Sequence, residues 1–202
     1  MRAGARREPR RGFTAVEVIA ALAIVGLASS LGAVGFRRHA RSARAAEANA
    51  MLLELASKEQ AFRAHDGGYA PLRADGRGEL PSADEDADAY YPQPADSPSL
   101  ASARAATLIG DRELWPPAWR SLAVRPPTEL AYCTYLLNAG DGGRPDPALR
   151  YGAQLLPSPV TGPWFYALAA CNLEGSPRYP GGVTIYGLSS ENLTVRVLED
   201  ER

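Results

Sequence analysis

The chain has 202 residues, 46 % of them hydrophobic, and a net charge of −1. That is apolar material for one ordinary domain plus one extra element, with too little positive charge for a dedicated nucleic-acid binder. Two histidines, no glycine-rich phosphate loop, no metal-ligand spacing and no nucleophile elbow point away from an enzyme, a cofactor and a metal site.

The first twelve residues hold five arginines (Arg2, Arg6, Arg7, Arg10, Arg11) against one acid, Glu8, so the rest of the chain is acidic. From Phe13 to Phe36 the sequence is apolar, with Glu17 as its one charged residue. As a helix this stretch covers roughly 36 Å, enough for a bilayer core with some tilt. The arginines in front favour an N-terminus held in the cytoplasm, although Arg37, Arg38 and Arg41 on the far side weaken that signal. A cleaved secretory signal would have a shorter apolar region, of about 7–15 residues, and only Ala28-Ser29-Ser30 offers a weak cleavage site. A simple membrane anchor fits the length but leaves a carboxylate in an apolar setting without a purpose. A cut between Gly12 and Phe13 supplies one. The new amino group at Phe13 and the carboxylate of Glu17 then stand four positions apart on one helix face. In a bundle of such helices, Glu17 of one copy neutralises the Phe13 amine of the next and so sets the assembly register.

The run Gly12-Phe13-Thr14-Ala15-Val16-Glu17-Val18-Ile19 resembles the leader junction of type IV pilins and pseudopilins. The resemblance implies cleavage after Gly12 by a membrane prepilin peptidase, N-methylation of Phe13, and assembly into a filament through this helix. The helix-breaking proline common in that family is missing. Gly26, Gly32 and Gly35 occupy the apolar half instead. Local unwinding in a filament is expected between Gly26 and Gly35; close helix packing in a membrane is the alternative use of the same glycines.

Residues 37–65 continue the helix, now amphipathic. Ala45, Ala48, Leu52, Leu55 and Phe62 recur at helical spacing, and Arg44, Glu47, Glu54 and Lys58 lie mostly off that stripe. One helix over about residues 14–64 is predicted, stopped at Asp66-Gly67-Gly68. The phrase EQAFRAHDGGYA is similar to one that follows the helix in many pilins and pseudopilins. Residues 66–130 read as a variable loop region, with acids at Asp84, Glu85, Asp86 and Asp88, aromatics at Tyr90-Tyr91, Trp115 and Trp119, and a short helix expected near 99–107. The acids read as a solvated loop; a calcium site is the sharper alternative, without the spacing of an EF-hand. The two tryptophans read as core anchors.

The region 131–202 is predicted to be a sheet. AYCTYLL (131–137), WFYALAAC (164–171), VTIYGL (183–188) and LTVRVL (193–198) are short and rich in β-branched and aromatic residues. Ser189-Ser190-Glu191-Asn192 reads as a tight connection between the last two, and Asn192 as a turn asparagine rather than a glycosylation acceptor. Four strands without intervening helices favour an antiparallel sheet. The expected fold is α+β, the pilin ladle: a long N-terminal helix whose C-terminal half packs on about four antiparallel strands. Cys133 and Cys171 fit one disulfide across neighbouring strands if the domain is exported, and two buried thiols if it is not. PWFYALAACNLEGS and TIYGLSSENLTVRVLEDER also resemble, loosely, the C-terminal half of some deltaproteobacterial pilin-like proteins. The Asp/Gly-rich loop often found there is replaced by Asn172-Leu173-Glu174-Gly175-Ser176.

The resemblance implies a structural subunit of a type IV pilus (fimbrium), held first in the bacterial inner membrane with its globular part in the periplasm. Its partners would be other pilin subunits through their N-terminal helices, the prepilin peptidase and the assembly machinery. The long, proline-rich 71–130 region would crowd a repeated shaft and favours a minor subunit. A pseudopilin of a type II secretion system shares the leader and helix, and a membrane-anchored binding module that never assembles is the structurally different alternative.

Overall fold

Thr14-Ala15-Val16-Glu17 opens a helix, α1, that runs unbroken over Ala15–Asp66. The computed structural model describes residues 14–72, 84, 89–92, 107–108, 115–124, 130–143, 145, 149–173 and 183–200. Two units divide at residue 39: Met1–His39 and Ala40–Arg202. In the first, the described residues are all exposed, and Val16, Ile19, Leu22, Ile24, Leu31 and Phe36 are each more than half bare. This part of α1 is long and apolar enough to cross a membrane. Gly26, Gly32 and Gly35 lie inside continuous helix, and a methyl group at any of them would meet nothing within 4 Å.

In the second unit, α1 turns a stripe of Ala48, Met51, Leu52, Leu55, Ala56 and Glu59 inward. The predicted Ala48, Leu52 and Leu55 are fully or almost fully buried, and Ala45 and Phe62 flank the same core. The helix stops at Gly67, whose φ of +83° is a left-handed conformation that glycine adopts without penalty. Its N–H donates to the Arg63 carbonyl at 2.9 Å and satisfies one of the helix's terminal acceptors.

Among the described residues, six strands follow: β1 (Thr107–Leu108), β2 (Leu130–Ala131), β3 (Cys133–Gly140), β4 (Trp164–Cys171), β5 (Thr184–Ser189) and β6 (Asn192–Asp200). The first two form a small antiparallel ladder; the last four form one antiparallel sheet in the order β3-β4-β5-β6. The fold is therefore α+β, a long N-terminal helix packed on a four-stranded antiparallel sheet. The predicted 131–137 strand divides: Ala131 belongs to β2, and β3 starts at Cys133 and reaches Gly140. Cys133 and Cys171 stand directly opposite each other in the β3/β4 register and are joined by a disulfide. Ser189 pairs with Asn192 across the predicted tight turn, and the Asn192 side chain accepts the Thr194 N–H at 2.9 Å. Most of the segment expected to be helical near 99–107 lies outside the described residues; Thr107 at its end is in β1.

Strands β3 to β5 are covered on both faces, while β6 is largely exposed. One face, carrying Tyr135, Leu137, Phe165, Ala167, Ala169 and Leu188, forms a core with α1, and Trp119 and Leu122 join it from the region around α2 (Pro117–Ser121). The other face, carrying Leu136, Trp164, Tyr166, Leu168 and Ile185, packs with Tyr90 and with Tyr151 and Leu155 of a second short helix, α3 (Arg150–Leu155). This explains why WFYALAAC is apolar at almost every position: every residue of β4 is buried. Gly187 of β5 is where α3 closes on the sheet. A methyl there would come within 2.7 Å of Leu198, 2.9 Å of Leu155 and 3.1 Å of Leu168. Gly187→Ala is expected to lower stability by about 1–3 kcal/mol through overpacking. Chemical denaturation of the two proteins checks this, and an unchanged midpoint would show that the layer is looser than these contacts imply.

Candidate functional site

At the start of α1, Thr14 and Glu17 form a capping box. The Thr14 N–H and the Thr14 hydroxyl both donate to Glu17 Oε2 at 2.8 Å, and the Glu17 N–H donates back to Thr14 Oγ1 at 3.3 Å. The spacing Thr-x-x-Glu before an apolar run is a sequence signature of a helix start, and it was available alongside the assembly reading of Glu17. Acidic charge in the first turn also suits the positive end of the helix dipole. Gly12 and Phe13, the predicted cleavage and methylation residues, lie outside the described residues. Glu17 is thus placed at an exposed helix start, with one carboxylate oxygen already engaged by its own chain.

A second cluster joins the amphipathic half of α1 to the corner of the sheet. Arg44 donates to the Leu173 carbonyl and lies 4.5 Å above the Tyr132 ring. Glu47 Oε1 accepts from the Tyr132 N–H at 3.1 Å and from the Tyr135 hydroxyl at 3.3 Å. The Cys133–Cys171 bridge sits between these contacts, since Tyr132 precedes its first cysteine and Leu173 follows its second. Burial pushes the Glu47 carboxyl up, opposed by the bonds from Tyr132 and Tyr135. The arrangement is mechanical: it fixes α1 to the strand ends that the disulfide holds together.

Among the described residues, the carboxylates of Glu59 and Asp84 are fully buried. Glu59 lies on the helix stripe, four residues after Leu55 and three before Phe62, a spacing that marks it as inward-facing. Its Oε2 accepts the Ala70 N–H at 2.9 Å, and its Oε1 has no hydrogen-bond partner. Desolvation pushes its carboxyl up to about 7, against the bond from Ala70. Between the unfolded value of 4.5 and about 7, the folded chain binds the extra proton, so stability is highest below that window and falls as pH rises through it. The expected loss is on the order of 3 kcal/mol at most. Glu59→Gln should flatten the pH dependence of unfolding in this window and raise stability above it; denaturation at a series of pH values measures both.

Asp84 corrects the solvated-loop reading of the acid cluster. It is fully buried, because its Oδ2 accepts the Tyr151 and Gly152 N–H groups at 2.8 and 2.7 Å and so caps the N-terminus of α3. Burial pushes its carboxyl up, opposed first by the Gly152 bond. The Tyr166 hydroxyl is 3.4 Å away and receives the Asn138 side-chain amide at 2.6 Å. Glu85, Asp86 and Asp88 lie outside the described residues. Among the described residues, no three His, Cys, Asp or Glu side chains converge as a metal site. His39 and His65 are far from one another in sequence, and His65 pairs with Asp66 at 3.1 Å at the end of α1.

No protein-family model, curated protein or solved structure matches the chain. Its chemistry therefore rests on its own residues: an apolar, exposed helix that starts with a capped carboxylate, and a disulfide-fastened domain.

Proposed function

We propose that this chain is a minor structural subunit of a type IV pilus. In this reading it is held in the inner membrane by the apolar half of α1 with its globular part in the periplasm. It is cut after Gly12 by a prepilin peptidase, methylated on Phe13 and drawn into a fibre through that helix. The observation that carries the reading is the exposed apolar helix opening on Thr14 and Glu17, since no described residue of its own unit covers it. The capping box supports it with a chemical sequence of events. In the single chain Thr14 satisfies Glu17. In the fibre, the Phe13 ammonium of a neighbour offers a charge-assisted bond to the same carboxylate, which is stronger than one from a neutral donor. The disulfide suits export to an oxidising compartment.

The test is the location of the assembled chain. Shearing the cells and fractionating the supernatant should recover the protein with surface fibres. Recovery only with the envelope, together with loss of protein secretion when the chain is deleted, would contradict the pilus assignment and place it in a secretion pseudopilus. Recovery only as a monomer in the membrane, with no fibre and no secretion defect, would leave an anchored module.

A further inference from the structure

The apolar run of α1 ends in two arginines that the folded chain leaves unused. Arg37 and Arg38 are exposed, and among the described residues neither makes a hydrogen bond, an ion pair or a ring contact. The next two arginines of the helix differ. Arg41 has a contact within the chain, and Arg44 holds the Leu173 carbonyl. No Asp or Glu stands between Glu17 and Glu47 in the sequence, so α1 offers the pair no nearby counter-charge.

Their level along the helix follows from length. Residues 13–36 cover roughly 36 Å as a helix, against a hydrocarbon core of about 30 Å with headgroup layers of about 5–7 Å on each side. Arg37 and Arg38 therefore fall in the headgroup layer at the far end of the span. Helical side chains lean towards the N-terminus of their helix, here back over the apolar run. The aliphatic stems then lie along apolar surface and the guanidinium groups reach the phosphates.

The charge serves no purpose in orienting the chain. Arg2, Arg6, Arg7, Arg10 and Arg11 already favour a cytoplasmic N-terminus, and arginine beyond the span opposes that preference. A guanidinium does suit phosphate, to which it gives two parallel N–H groups. A zwitterionic lipid brings its own ammonium beside the phosphate, whereas an anionic one does not, so a pair of bare positive charges selects the anionic lipid.

We propose that Arg37 and Arg38 form a binding site for the phosphate of anionic phospholipids, in the leaflet at the C-terminal end of the span. The contact fixes the depth of the span, and withdrawal of α1 from the bilayer breaks it. This rests on the apolar half of α1 crossing the membrane and not on assembly into a fibre.

The test uses the full chain in a bilayer of equal parts phosphatidylglycerol and phosphatidylcholine. Native mass spectrometry counts the lipids of each kind that leave the bilayer with it. Phosphatidylglycerol should be in excess. The double variant Arg37→Gln/Arg38→Gln should lower that excess by about fivefold or more, the attraction of one arginine near a surface being worth about fivefold. Arg37→Lys/Arg38→Lys keeps the charge and should keep most of the excess. The same excess in the unaltered chain and the glutamine variant would assign it to residues 1–12 and overturn the site. Extraction with alkaline carbonate separates the site from the span it rests on. A chain that washes off the bilayer does not cross it, and the site falls with the span. A chain that stays and shows no excess overturns the site alone.

Discussion

Glu17→Ala will insert in the membrane and fold its globular domain, yet disappear from the fibre fraction. The substitution makes the apolar stretch more hydrophobic, so insertion is favoured. It removes the acceptor for the Thr14 N–H and hydroxyl, which frays the first turn of α1. It also leaves a neighbour's Phe13 ammonium without a counter-charge in an apolar setting, and that is the larger effect. The two roles separate with Thr14→Ala. This variant weakens the capping box and keeps the carboxylate, so it should assemble at a reduced level rather than not at all. Immunoblots of membrane and sheared-fibre fractions read both variants. Normal assembly of Glu17→Ala would reduce the carboxylate to a helix cap and remove the assembly register from the account.

The second large effect is at the disulfide of the second unit. Replacing Cys133 and Cys171 together with alanine should lower stability by about 4 kcal/mol, from the chain-entropy cost of opening a loop with a sequence separation of 38. Alanine suits the site, since both positions are buried in the core between α1 and the sheet. The Arg44 and Glu47 contacts flank the bridge, so its loss should also loosen the junction of α1 with Tyr132 and Leu173. Equilibrium unfolding in denaturant measures the first effect. Exchange protection at the Tyr132 amide, which donates to Glu47, measures the second. A change below about 1 kcal/mol would mean that the strand register holds this corner without the bridge.

Particular residues show how far the fold could be read in advance. The inward stripe of α1 was legible because it repeats at helical spacing, and the four strands of the sheet because their side chains suit a pleated surface. The β5–β6 turn was legible for the same local reason: Asn192 bonds its own backbone two residues on. Helix α3 was not. Its sequence, RYGAQL, follows Leu149 and has no capping side chain of its own. The cap is Asp84, 67 residues away from Tyr151 in sequence, and local patterns carry no trace of it. For the same reason Asp84 looked like any solvated acid. The two-sided burial of β4 did leave a signal in its unbroken apolar run, but the expected fold placed only α1 against the sheet. Glu59 was also within reach, since it occupies a position on the buried stripe.

The central claim is that residues 1–12 are a leader and that Phe13 begins an assembly helix. Intact-mass and N-terminal peptide analysis of the protein from bacterial membranes tests it most directly. The account predicts a chain that starts at Phe13 with one added methyl group on its amine. A chain that still starts at Met1, or one cut near Ser30, would contradict it.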